Sequence, residues 1–240
     1  MLALEFATRP IADVDELWNL IKVRDEFYDD EAAILGAIAF SGAVLKGHVE
    51  LSSGQHSEYY FRSRNLTSNH NYDKLIAKLF IERFQQNRVR FDTILSPVTA
   101  GYCFSSSIVD SMERKKWNRF GGEVRRAVAK VDDHGYPINI GLNDQLSVDR
   151  RDHVLLTEAV LREGNSLRVL SLLAKAKGAE LVAIACYVSA NRQVSRQIED
   201  DLGLKVYALA DLALEDHTYP ADDCPICPTG KKLVNGWNLM

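Results

Sequence analysis

The chain has no run approaching the roughly 20 apolar residues that a membrane-spanning helix requires, so no span is expected from its sequence. A secretory leader is not expected either, because the apolar stretch 2–10 is short and Asp13, Asp15 and Glu16 follow it. Cysteine is scarce: Cys103 and Cys186 stand alone and Cys224 and Cys227 form one pair, which is not the even, spaced framework of a secreted disulfide scaffold. Together these absences predict a cytoplasmic protein. Neither sign of charge dominates, since 29 Lys and Arg against 33 Asp and Glu leave a formal -4. That balance gives no overall drive toward nucleic acid or an anionic membrane. The one local basic run, Arg114, Lys115, Lys116, Arg119, Arg125 and Arg126, reads as a solvated helix end. Internal repeats and low-complexity tracts are also missing.

What is present is enough for one full core. With 240 residues, 46% of them hydrophobic, the chain accommodates one α/β domain and a smaller appendage. Apolar residues recur at helical spacing over 12–45, as Val14, Leu17, Leu20 and Ile21 and then Ala33, Ile34, Ala37 and Ile38, before Gly42. Val49 and Leu51 on one side of the turn 52–57, and Tyr59, Tyr60 and Phe61 on the other, predict a hairpin-like unit. An amphipathic helix follows over about 73–86. Beyond Arg90, apolar strands near 93–95, 124–129, 154–157, 181–188 and 206–209 alternate with helical stretches near 102–115, 166–177 and 192–202. Strand–helix alternation of this kind predicts an α/β fold with a doubly wound, mainly parallel sheet of about five strands. The interruption is 131–152, which is polar, contains Gly135, Pro137 and Gly141, and reads as a mobile functional loop or an additional hairpin. The predicted organisation is 1–72, an N-terminal helical and hairpin portion; 73–212, the α/β core; and 213–240, a C-terminal tail.

Four places are candidates for chemistry. Val154 to Thr157 is an apolar strand that runs through Glu158 and Ala159 into the polar turn of Arg162, Glu163 and Gly164, and Asn165 and Ser166 then open a helix. Amides at such a helix start receive phosphate in α/β folds. Ser96-Pro97-Val98-Thr99-Ala100-Gly101 is a second strand end opening a helix. In the hairpin unit, Tyr59, Tyr60 and Phe61 offer faces on which a flat base could stack, or else pack the unit to its core. Cys224-Pro225-Ile226-Cys227 is one Cys-x-x-Cys pair; a structural zinc takes about four ligands. No second pair exists and His217 is a possible third ligand, so the pair reads mainly as a tail element and no metal ligand set is assigned.

The stretch from Gly42 to Arg64, with its Gly-Ala-Val-Leu, Leu-Ser-Ser-Gly turn and Ser-Glu-Tyr-Tyr, resembles the N-terminal hood of orotate phosphoribosyltransferases. The Glu158–Ser166 turn resembles the phosphoribosyl-pyrophosphate signature of the type I phosphoribosyltransferases, and 96–101 their pyrophosphate loop. Lys130 to Gly135, with His134, resembles their mobile loop. The resemblance spans roughly residues 31 to 212. It implies Lys130, His134 and Glu158 as catalytic residues and Tyr59, Tyr60, Arg64, Thr99, Gly101, Arg162, Gly164, Asn165 and Ser166 as ligand-binding ones. It also implies a homodimer, a phosphoribosyl or nucleotide ligand and, in an active member, Mg2+.

The signature departs from the family pattern where chemistry is expected. Ala159 replaces the second of two acids that hold the ribose hydroxyls, Arg162 and Glu163 replace two small hydroxyl residues, and Asn165 replaces a glycine. Three readings follow. The chain is a diverged or catalytically silent member binding a nucleotide or a partner protein in a regulatory or structural role. Otherwise it is an active enzyme joining ribose 5-phosphate to a pyrimidine-like base, or one with a changed substrate read by Arg162. The substitutions favour the first.

Overall fold

The computed structural model describes residues 8–10, 31–97, 100–115, 124–132, 136–141 and 146–236. They fall into two compact units, one formed by described residues up to Tyr72 together with those from Ala210 onward, the other by Asp73–Leu209. The tail therefore joins the N-terminal portion.

In the first unit, strand β1 (Thr8–Pro10) precedes helix α1 (Glu31–Ser41). Ile34, Leu35, Ala37, Ile38 and Ala39 of α1 are buried, and Gly42 at φ +63 ends the helix in a left-handed turn. Strands β2 (Val44–Glu50) and β3 (His56–Phe61) then pair antiparallel around a turn containing Gly54. This is the hairpin the sequence predicts. A register shift falls between Lys46 and Val49, so the segment holding Gly47 and His48 bulges against its partner. Helix α2 (Arg64–Thr67) is a single turn. The C-terminal segment flanks the hairpin on both sides: β10 (Thr218–Tyr219) pairs with β3, and β11 (Leu233–Asn235) pairs with β2. The Cys-Pro-Ile-Cys loop is part of the connection between those two strands.

The second unit is a six-stranded sheet in the order β6-β5-β4-β7-β8-β9. Its strands are β4 (Thr93–Pro97), β5 (Arg125–Val131), β6 (Pro137–Ile140), β7 (His153–Leu161), β8 (Glu180–Ser189) and β9 (Val206–Asp211). The helices are α3 (His70–Gln86), α4 (Ala100–Lys115), α5 (Asn165–Ala176) and α6 (Arg192–Leu202). Pairing is parallel between β4 and β5, β4 and β7, and β7 and β8, and antiparallel between β5 and β6. All five expected strands are present, and the fold is α/β with a mainly parallel sheet. The sixth strand, β6, comes from the interrupted segment and forms the hairpin alternative. Reciprocal bonds join Asp132 and Tyr136: the Asp132 amide donates to the Tyr136 carbonyl at 2.9 Å, and the Tyr136 amide to the Asp132 carboxylate at 2.8 Å. The expected helix within 12–30 lies outside the described residues.

The core of this unit forms where the sheet's apolar runs meet the helices. Leu95, Leu156, Ile184 and Cys186 from the strands pack with Leu167, Leu170 and Ala174 of α5 and Ile198 of α6. Helix α3 buries Ile76, Leu79, Phe80 and Phe84, the stripe its spacing predicts, and Phe84 meets Phe91 and Tyr207 edge-on. Among the described residues, no helix is long and apolar enough to cross a membrane.

Candidate functional site

The signature turn lies in the second unit, on one continuous strand–turn–helix. Strand β7 carries Glu158 opposite Cys186 of β8 and continues to Leu161, beyond the apolar run that marks it in the sequence. Enclosure in this setting pushes the Glu158 carboxyl up to about 7, partly offset by the Ala159 amide, which donates to Glu158 Oε1 at 2.9 Å. Burial acts in this direction because it penalises the ionised form. Ala159 is 7% exposed. The position that would hold a second acid is thus a small, covered methyl.

Arg162 and Glu163 then lead to Gly164 at φ 74, whose left-handed backbone turns the chain into α5 with no side-chain cap on the helix. Glycine is required at this point. A Cβ would sit 2.4 Å from Ile198 Cδ1 and 2.7 Å from its Cγ1. Asn165 Nδ2 donates to Glu163 Oε2 at 2.8 Å, and Arg168 Nη1 donates to the Glu163 carbonyl at 2.9 Å. Arg168 also pairs with Asp201 of α6 at 2.8 Å. The helix start therefore has the Glu163 carboxylate beside it, in the region where the resemblance places a phosphate. Ser166 lies half-buried in the first turn and Arg162 half-buried before it.

The neighbouring strand supplies the second candidate loop. Strand β4 ends at Pro97 and α4 begins at Ala100, which places Gly101 in its first helical turn. Thr99 and His134 lie outside the described residues. Lys130, expected in a loop, is inside β5 and opposite Asn139 of β6. The two arginines before it have protein partners. Arg125 pairs with Asp152 at 2.6 Å and Asp149 at 2.8 Å, and Arg126 donates to Ser106 Oγ at 2.6 Å.

Tyr59, Tyr60 and Arg64 belong to the first unit. Neighbouring residues on a strand face opposite ways, so Tyr59 and Tyr60 do not present one common stacking surface. Tyr59 is buried, meets His217 edge-on with ring centroids 4.9 Å apart, and has Lys46 Nζ 5.3 Å from its ring centre. Tyr60 packs against the cluster of Leu45, Val49 and Val234. Both rings have packing partners within the first unit. Arg64 is exposed at the start of α2.

One cluster in this unit was missed by sequence reasoning. His48 and His56 are buried at 2% and 7% exposure, and their ring nitrogens Nε2 and Nδ1 lie 3.1 Å apart. Cys224 Sγ is 3.6 Å and Cys227 Sγ 3.7 Å from His48 Nε2, and Cys227 Sγ is 3.3 Å from His56 Nδ1. All four ligand atoms lie within 4.8 Å of one another. His217, the third ligand the sequence offers, is not among them; its Nδ1 faces Glu58 at 3.5 Å. A signal was available in the two histidines that flank the 49–55 stretch of the hairpin, one on each strand.

No protein-family model matches the chain. It is 24% identical over 200 residues to the orotate phosphoribosyltransferase of Sulfurimonas denitrificans, covering 80% of this chain and 91% of that protein. Among solved structures it is similar to the orotate phosphoribosyltransferase of Mycobacterium tuberculosis H37Rv, with a TM-score of 0.57 and 22% identity over 77% of this chain and 97% of that one. It is also similar to Leishmania donovani UMP synthase, with a TM-score of 0.61 and 18% identity over 78% of this chain, and there it spans 37% of the longer protein. The chain is orotate phosphoribosyltransferase-like, and its fold is that of the type I phosphoribosyltransferases.

Proposed function

We propose that this protein is a diverged phosphoribosyltransferase-like protein that turns over little or no orotate and uses its retained fold to bind a nucleotide or a partner protein in a regulatory or structural role. The observation that carries this reading is the Glu163 carboxylate, bonded to Asn165 Nδ2 at 2.8 Å at the opening of α5. A negative side chain held there opposes a phosphate group approaching the start of the helix, an opposition that the solvent exposure of Glu163 moderates. Ala159 adds to it, because a methyl accepts no ribose hydroxyl.

Phosphoribosyl transfer would bring Mg2+ with the diphosphate, and the signature residues fit that group poorly. Glu158 is the single acid of the pair, and its carboxyl, pushed up to about 7, is substantially protonated near neutral pH. Lys130, the basic residue assigned to the loop, is instead part of a strand pair.

The active-enzyme reading has one specific support. Helix α5 begins at a glycine with no side-chain cap, so its first amides keep the donor arrangement that receives anions in this architecture. Calorimetric titration with phosphoribosyl pyrophosphate and Mg2+ separates the two readings. The silent reading expects no saturating heat at micromolar ligand. The resemblance to the orotate phosphoribosyltransferases implies a homodimer, and light scattering on the eluted peak tests it with a dimer mass expected.

A further inference from the structure

We infer that His48, His56, Cys224 and Cys227 form a structural zinc site that fastens the C-terminal segment to the hairpin. This inference is independent of whether the phosphoribosyltransferase-like pocket is active. It rests on geometry within the first unit alone.

Four of the six separations among these atoms match the edges of a tetrahedron around a zinc ion. Zinc bonds of about 2.0–2.1 Å to nitrogen and about 2.3 Å to sulfur give tetrahedral edges of about 3.3 Å for N–N and about 3.6 Å for N–S. The corresponding distances are 3.1 Å between the two imidazole nitrogens and 3.3, 3.6 and 3.7 Å between nitrogen and sulfur.

Hydrogen bonding within the cluster explains this convergence poorly. The Nδ1 of His48 lies 3.1 Å from the Lys231 carbonyl, which can only accept, so Nδ1 carries the proton and donates. Nε2 then holds a single lone pair aimed into the cluster. Three polar atoms crowd that lone pair: His56 Nδ1, Cys224 Sγ and Cys227 Sγ. One lone pair accepts one good hydrogen bond, whereas a cation between the four atoms satisfies all of them. The bond to Lys231 is also the outer-shell contact that orients a metal-bound imidazole.

The backbone is arranged to present these ligands. The bulge in β2 sets His48 beside His56, and the tail strands β10 and β11 flank the hairpin on both edges. The Cys-Pro-Ile-Cys loop is held by short-range turns: the Cys227 amide donates to the Cys224 carbonyl at 3.3 Å, and Gly230 at φ 72 closes a 3-10 turn. Apolar contacts in this segment are few, with Cys224, Ile226 and Val234 the buried residues from 221 to 235. A metal supplies the cohesion that so small a core lacks.

Donor chemistry selects the ion. Two thiolates and two imidazoles in tetrahedral array suit zinc, and four protein ligands leave no open position for a substrate. On binding, each thiol releases its proton to solvent. The two thiolates then cancel the charge of Zn2+, and a neutral centre is compatible with a largely buried site.

The test is metal analysis of the full chain, purified without chelator and with any affinity tag removed. Close to one zinc per chain is expected. Reduced, metal-free protein titrated with Co2+ should develop the visible absorption of tetrahedral cobalt with its sulfur charge-transfer band. Cys227→Ser and His48→Gln should lose the metal, while His56→Cys, which keeps a competent ligand set, should retain it. Chelation should expose residues 213–236 to limited proteolysis. Substoichiometric zinc together with no cobalt spectrum from the wild-type chain would overturn the inference, and so would a Cys224–Cys227 disulfide in the freshly purified protein. The wild-type cobalt titration decides the matter even where a variant fails to fold.

Discussion

Gly164 backs directly onto Ile198: a Cβ added to the glycine would fall 2.4 Å from the isoleucine Cδ1, at a backbone φ of +74. The start of α5 is thus seated against α6, and the signature turn has no room for a side chain on that side. Gly164→Ala should therefore cost about 1–3 kcal/mol, combining left-handed strain with overpacking. Urea unfolding measures it. In an Ile198→Ala background the added cost should shrink, because the clashing atoms are gone while the strain remains; an unchanged cost would assign the whole effect to the backbone.

Glu158 predicts a pH dependence of stability. Its folded carboxyl is raised from 4.5 to about 7 by burial, so the folded state binds the proton more tightly than the unfolded chain. The group's contribution is fully present below about 4.5 and is lost as pH rises through about 7. Thermal melts between pH 5 and 8 should show wild-type stability falling more steeply than that of Glu158→Gln, by roughly 1–3 kcal/mol across the window. Parallel curves for the two proteins would contradict the assignment.

Arg83 is a buried cation in the last turn of α3. It donates to the backbone carbonyls of Ala208 and Leu209, the latter at 3.4 Å, at the β9 strand. Arg83→Leu should cost about 2–4 kcal/mol, since hydrogen bonds from a charged donor are lost and buried acceptors lose their partner. Arg83→Lys should recover little, because an ammonium lacks the planar fork that reaches two carbonyls at once. Chemical denaturation of both variants checks the ranking.

Much of the core was legible because its signals are local. Strand β8, Glu180–Ser189, is an almost continuous apolar run, and Asn191 then caps α6 by accepting from the Gln193 and Val194 amides. Both features appear in a window of a dozen residues. Strand β6 is harder to see, being four residues long with two of them exposed, and its pairing is accompanied by the Asp132–Tyr136 bonds rather than marked by periodicity. Lys130 reads as a loop residue for the same reason. The histidine–cysteine cluster is only half legible: the two histidines flank one turn, but the cysteines are far away in the chain, with His56 and Cys227 separated by 171 positions. Only the pairing of β10 and β11 with the hairpin brings them together. The spacing of Tyr59 and Tyr60 fits stacking faces as well as packing, with packing the favoured reading, and the contacts with His217 and Val234 are a tertiary fact.

Restoring the signature should restore binding if the rest of the pocket is competent. Ala159→Asp, Arg162→Thr, Glu163→Thr and Asn165→Gly combined should gain affinity for phosphoribosyl pyrophosphate over wild type. Ala159→Asp alone should gain less, because Glu163 still opposes the phosphate and the new carboxylate enters a position only 7% exposed. A regained charge-assisted bond of about 1.5–3 kcal/mol corresponds to roughly 10- to 150-fold in affinity. Calorimetry of both variants at one salt concentration makes the comparison, and equal affinities would show that the obstruction lies elsewhere.

The most direct test is the unmodified chain itself, titrated calorimetrically with phosphoribosyl pyrophosphate and Mg2+ while orotate-dependent pyrophosphate release is followed on the same preparation. The expected result is no saturating heat at micromolar ligand and no release above the orotate-free control. Micromolar binding together with orotate-dependent release would contradict the silent reading and establish the chain as an active phosphoribosyltransferase.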